Sequence, residues 1–126
     1  VDTINESRRL DSAYDDAIGV TAAFNLNVLR HVNRLVGADF RPEAFRHRGF
    51  FNASAGRVEM HLEAMSAQTV AFDGGERRFA AGERILTEYS YKYAPEAFAQ
   101  MLAGAGYAAV RCWQDAAGDF AVFSAA

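Results

Sequence analysis

Cysteine and long apolar runs are scarce in this sequence, and neither sign of charge predominates strongly. Cys112 is the single cysteine among 126 residues, which excludes an internal disulfide and is typical of proteins from the reducing cytoplasm. No apolar run approaches the roughly 20 residues of a membrane-spanning helix. The formal net charge of -3 gives no reason to expect a nucleic acid or an anionic membrane as partner. The composition therefore favours a cytoplasmic globular protein with neither partner.

Familiar motifs of catalysis and metal binding are also missing. His31, His47 and His61 lie far apart and lack the spacing of metal ligands, so packed or surface histidines are the better interpretation. Residues 104–109 (GAGYAA) imitate the spacing of a dinucleotide-binding loop, but they end a predicted helix and begin a predicted strand. A phosphate-binding loop needs the opposite order. We predict no metal site and nominate no catalytic or cofactor-binding residue.

Two stretches have the periodicity of amphipathic helices. The first covers residues 20–36 and is followed by Gly37, which suits a left-handed helix cap. Its apolar stripe consists of Phe24, Val28, Val32 and Val36, widened by Leu29 and Leu35. The second covers residues 95–105 and begins at a proline. A shorter helix is predicted over residues 6–14, with Asn5 as its N-cap.

Strand patterns fill the middle and the end of the chain. Apolar residues at 58, 60 and 62 alternate with Glu59, His61 and Glu63, which is typical of a half-buried strand. Shorter strands are predicted at 69–72 and 85–91, and a closing pair at 107–113 and 120–123 surrounds a turn. The predicted fold class is α+β: N-terminal helices, an antiparallel β-meander, then a helix and a β-hairpin.

Long segments of the sequence carry a family resemblance. They are residues 13–27 (AYDDAIGVTAAFNLN), 45–52 and 57–62, 86–93 (LTEYSYKY) followed by 95–96, and 115–120. Together they resemble the histidine-specific, S-adenosylmethionine-dependent methyltransferases of ergothioneine biosynthesis, which methylate the α-amino group of histidine. The resemblance runs in order through nearly the whole chain.

The resemblance implies how the chain is organised. Residues 1–4 would end a strand of a Rossmann-like methyltransferase domain, 5–93 would form the substrate-binding domain, and 94–126 would supply a helix and β-hairpin that complete the methyltransferase sheet. The implied cofactor is S-adenosylmethionine, with most of its site outside this chain. We therefore expect the C-terminal part of a longer enzyme, inactive alone. Its exposed sheet edge predicts self-association.

Four substrate-binding residues are implied by the resemblance: Tyr14 for the substrate carboxylate, Glu88 and Ser90 for the imidazole, and Met60 lining the same pocket. The spacing of Glu88 and Ser90 agrees, because residues i and i+2 of a strand face the same side, roughly 7 Å apart. A carboxylate and a hydroxyl so placed can meet both ring nitrogens. Without the surrounding motifs, Tyr14 would more often be a packing residue and Glu88 a solvated one.

Two other functions remain open at this stage. One is a stand-alone amino-acid-binding module for histidine or a related amino acid, without catalysis. The other is a methyltransferase for another aromatic amino acid, such as a tryptophan derivative. Glu88 argues against the second, because a carboxylate is poorly matched to an indole with a single N–H.

Overall fold

Residues 1–3 and 6–126 are described by a computed structural model, and they confirm the α+β class. The three α-helices are α1 (Ser7–Tyr14), α2 (Val20–Val36) and α3 (Pro95–Gly104). The seven strands are β1 (Phe45–Asn52), β2 (Arg57–Ala64), β3 (Gln68–Phe72), β4 (Gly75–Phe79), β5 (Arg84–Tyr91), β6 (Arg111–Gln114) and β7 (Ala121–Ser124). The predicted N-cap Asn5 lies outside the described residues.

Helix α2 has the predicted bounds, and both of its ends have a local cause. Gly37 follows it with a φ of 60°, the left-handed conformation that glycine adopts without strain. At the other end, the Asp16 carboxylate accepts hydrogen bonds from the amides of Val20 and Thr21, each 3.0 Å long. The same two amides hold the pKa of Asp16 below its usual range, Thr21 having the larger effect.

The face that α2 buries differs from its most regular apolar stripe. Phe24 is 63% exposed and Leu35 68%, whereas Asn25 and Leu29 are buried. Apolar residues occur on more than one side of this helix, so their spacing alone leaves its rotation undetermined. The partners available to Asn25 on the sheet allow a polar residue to point inward.

Strands β1, β2 and β5 form an antiparallel sheet with β2 in the centre. Strands β3 and β4 pair only with each other among the described residues, so a separate hairpin interrupts the predicted meander between β2 and β5. The sequence did not predict β1 or β4. Strand β4 (GERRF) has one buried side chain, Phe79, and its apolar pattern is too sparse to indicate a strand.

The main core joins α2, the three-stranded sheet and the β3–β4 hairpin. Its buried members are Leu29, Phe45, Leu62, Ala64, Val70 and Phe79. The rings of Phe40, Phe45 and Phe79 pack with centroids 5.6–6.0 Å apart. The hairpin therefore shares one core with the sheet and α2.

The first residues of the chain contact the closing hairpin β6–β7. The Ala121 amide donates to the Val1 carbonyl at 2.8 Å, and the Thr3 amide donates to the Asp119 carbonyl at 3.0 Å. The division at residues 4 and 93, and self-association through a sheet edge, stay predictions. None of the described helices is long and apolar enough to cross a membrane.

Candidate functional site

A β-bulge in β5 decides which side of the sheet the candidate residues face. Ile85 pairs with Leu62 and Leu86 with His61, but Met60 pairs with Glu88, so Thr87 is one extra residue. In a regular strand Thr87 would pair with Met60, and Glu88 would face the same side as Leu86. The bulge places Glu88 and Ser90 on the side of Met60.

The two sides of the three-stranded sheet are chemically different. We call the side with His47, Met60, Leu62 and Ser90 the helix-covered face, since α1 and α2 pack over it. We call the other side the charged face; it carries Arg46, Arg57, Glu59, Glu63 and Arg84. The predicted site residues Met60, Glu88 and Ser90 share the helix-covered face, and Tyr14 reaches it from the end of α1.

A buried lysine connects Tyr14 and Ser90. The Tyr14 hydroxyl and Ser90 Oγ are 2.9 Å apart, and Lys92 Nζ donates to each of them at 2.8 Å. The third acceptor of Lys92 Nζ is Asp2 Oδ2 at 2.6 Å. The Lys92 side chain is only 2% exposed, while the Asp2 carboxylate reaches solvent.

The main chain of Tyr14 is held by a second network. Asn25 Nδ2 donates to His47 Nδ1 at 2.9 Å and to the His61 carbonyl at 3.2 Å. Because Nδ1 is an acceptor there, the proton lies on His47 Nε2, which donates to the Tyr14 carbonyl at 2.8 Å. At Gly49 an added Cβ would lie 2.9 Å from that carbonyl oxygen, so only glycine permits the close approach.

The structure brings the four predicted residues to one region, with different exposure. Met60 is buried and lies opposite Glu88 in the strand register, while Glu88 itself is exposed. Tyr14 and Ser90, predicted for opposite ends of one amino acid, are hydrogen-bonded to each other. A ligand that uses both hydroxyls has to replace this bond. Their substrate-binding roles stay predictions.

Sequence reasoning missed Lys92, His47 and Asn25. Lys92 had a usable signal, since it lies two residues beyond Ser90 and continues the same side of β5. Asn25 and His47 gave none, because their contact spans 22 residues and depends on the rotation of α2.

On the charged face, carboxylates are neutralised by arginines of the same sheet. Glu63 is buried and accepts hydrogen bonds from Arg46 and from Arg84 Nε, the latter at 2.8 Å. These bonds, that of Arg46 first, lower the pKa of Glu63 to about 2. Glu59 accepts from Arg57 Nε at 2.9 Å, and this bond has the largest part in lowering its pKa. Both buried carboxylates are therefore ionised and already hydrogen-bonded to arginines.

The described residues offer little to a metal or to S-adenosylmethionine. No three His, Cys, Asp or Glu side chains among them are grouped to hold a metal ion. In the same part of the chain, the connection from β5 to α3 runs through Lys92, Tyr93 and Ala94, without a glycine. A Rossmann-type cofactor loop needs glycines at the turn from strand to helix. These residues do not fit such a loop.

Comparison with known proteins finds one matching family and several relatives. The family model "Histidine-specific methyltransferase, SAM-dependent" matches residues 1–126. A histidine N-alpha-methyltransferase of Mycolicibacterium smegmatis is 50% identical over 94% of the chain, and one of Mycobacterium tuberculosis is 44% identical over 99%. The N-methyltransferase benX of Aspergillus terreus is 28% identical over 94%.

The aligned part is a limited share of each relative. The chain spans 38% of the Mycolicibacterium protein, 40% of the Mycobacterium protein and 34% of the Aspergillus protein. The family match nevertheless extends over every residue of the chain. The chain therefore belongs to the family of histidine-specific, SAM-dependent methyltransferases.

Proposed function

We propose that this chain holds the amino-acid substrate of a histidine Nα-methyltransferase. Tyr14 binds the α-carboxylate, Glu88 and Ser90 bind the imidazole nitrogens, and Met60 lines the ring pocket. The observation that carries the proposal is the bulge at Thr87, which puts Glu88 and Ser90 on the side of Met60, where Ser90 contacts Tyr14. The reaction would take place in the cytoplasm and belong to ergothioneine biosynthesis.

The chemistry of the two ring ligands favours imidazole. A neutral imidazole has one N–H and one bare nitrogen. An ionised Glu88 can only accept a hydrogen bond, and a Ser90 hydroxyl can donate one, so together they match both nitrogens. An indole has a single N–H and would leave the Ser90 donor without an acceptor in the ring.

When the carboxylate and the ring of histidine are both bound, the α-amino group is left free to react. An amine must lose its proton before it can attack a methyl group, so water or a nearby acceptor has to take that proton before each transfer. The described residues do not form a cofactor loop; their part in the reaction is to hold and orient the amino acid.

The proposal is tested with the protein in its full natural length. It is incubated with S-adenosylmethionine and an equimolar mixture of amino acids, and methylated products are identified by mass. Trimethylated histidine is the expected single product. Another methylated amino acid would contradict the assignment of Glu88 and Ser90, and no product at all would favour a binding module without catalysis.

Glu88→Ala sharpens the test. The loss of one charge-assisted hydrogen bond should lower kcat/KM for histidine by about tenfold or more, while kcat/KM for tryptophan falls less. Glu96→Ala is the matched control, because Glu96 is an exposed glutamate on α3. Equal losses for both amino acids in the Glu88 variant would argue against a role in selecting the ring.

A further inference from the structure

Lys92 has no hydrogen left for a ligand. An ammonium group has three N–H donors, and those of Lys92 meet Asp2, Tyr14 and Ser90 at 2.6–2.8 Å. Its side chain is almost completely buried, so water does not compete for these bonds. Any influence of Lys92 on a ligand therefore passes through its partners.

The hydroxyl protons show what that influence is. The hydroxyls of Tyr14 and Ser90 have two protons between them, and each oxygen already accepts a hydrogen bond from Lys92. Without a ligand, one proton lies in the bond between the two oxygens, 2.9 Å apart. When a ligand presents two acceptors, both protons can turn to it, because Lys92 continues to satisfy both oxygens.

Without Lys92 the two hydroxyl protons are distributed differently. Each hydroxyl oxygen would then lack a buried donor, and the bond between Tyr14 and Ser90 would be the best substitute. One proton would remain committed to that bond, and the two hydroxyls would compete for the ligand.

We propose that Lys92 is a positioning residue that keeps the hydroxyls of Tyr14 and Ser90 available as two independent donors to the ligand. The inference rests on the proposed function, in which one donor meets the carboxylate and the other meets the bare ring nitrogen. It adds a specificity rule: the site favours an amino acid with a hydrogen-bond acceptor at each end. Asp2 anchors the ammonium and compensates its charge.

A double-mutant cycle tests the inference. Binding of L-histidine to the full-length protein is measured by calorimetry for wild type, Ser90→Ala, Lys92→Met and the double variant. We expect Ser90→Ala to weaken binding about tenfold when Lys92 is present, and about twofold or less in the Lys92→Met background. Equal losses in both backgrounds would overturn the proposal, since a purely structural lysine would not change the contribution of Ser90.

A second cycle leaves Lys92 in place and so does not depend on how well its variant folds. If the two hydroxyls are independent donors, the losses from Tyr14→Phe and Ser90→Ala should multiply in the double variant. If the double variant binds no more weakly than the worse single variant, only one of the two hydroxyls donates to the ligand at a time, which contradicts the inference. If wild type binds histidine and the double variant gives that result, only the role of Lys92 is contradicted. If wild type does not bind histidine, the proposed function is contradicted as well.

Discussion

Each face of the three-stranded sheet buries charged side chains, and those of the two faces have different kinds of partner. On the helix-covered face, Lys92 donates to two hydroxyls and one carboxylate. On the charged face, Glu63 accepts from Arg46 and Arg84, and Nε of a third guanidinium group, that of Arg48, is 3.5 Å away. A hydroxyl that accepts from Lys92 still has a proton to offer. A guanidinium bonded to Glu63 has no acceptor lone pair and a fixed geometry.

This difference shows that burial of a charge does not identify a functional site. Both ions of a buried pair lose hydration, and well-placed hydrogen-bond partners are needed to offset that cost in free energy. The carboxylate of Glu63 has such partners, so it has no need of a ligand. A hydroxyl bonded to Lys92 can turn its own proton to another acceptor, as the proposed binding of a ligand requires.

The largest expected effect comes from the two ring ligands that the bulge puts on the helix-covered face. The double variant Glu88→Ala/Ser90→Ala should weaken histidine binding about a hundredfold or more, since both ring bonds are lost. Leu86→Ala is the control, because Leu86 lies on the same strand but faces the charged side. Calorimetry should find nearly normal binding in the control. Normal binding in the double variant would contradict the role proposed for the helix-covered face.

A smaller effect should separate the two sides of α2, which covers the first face. Leu29 is buried in the main core, so Leu29→Ala should lower the free energy of unfolding by about 2–5 kcal/mol. Leu35 lies on the same helix and is 68% exposed, and Leu35→Ala should change stability by about 0.5 kcal/mol or less. Urea denaturation of both variants measures the difference. Similar losses would mean that α2 packs with another side.

The smallest effect concerns pH and the charged face. The pKa of Glu63 is lowered from 4.5 to about 2 in the folded chain, so its contribution to stability is complete above pH 4.5 and is lost as pH falls toward 2. Wild type should therefore lose more stability over this window than Glu63→Gln, which has no carboxylate to protonate there. Urea midpoints measured between pH 5 and pH 3 give the comparison; parallel curves would show that the arginines do not stabilise the ionised form.

The helices and the best-patterned strands could be predicted because their signals are local. The bounds of α2 followed from its apolar period and from Gly37, and β2 followed from its alternation around Met60. Strand β4 could not be predicted, because Phe79 is its single apolar side chain and becomes buried only through contact with the core. The β3–β4 hairpin, inserted between β2 and β5, is likewise a matter of which surfaces pack together.

The sequence by itself determined the fold class and the family resemblance. For the candidate site, it identified the residues to test: Tyr14, Met60, Glu88 and Ser90. Only the tertiary structure decided that β5 has an extra residue at Thr87 and that Lys92 binds both hydroxyls. The physical reason is that period and composition act along the chain. A bulge is defined by the register of two paired strands, and the partners of a buried ammonium come from segments as many as 90 residues apart.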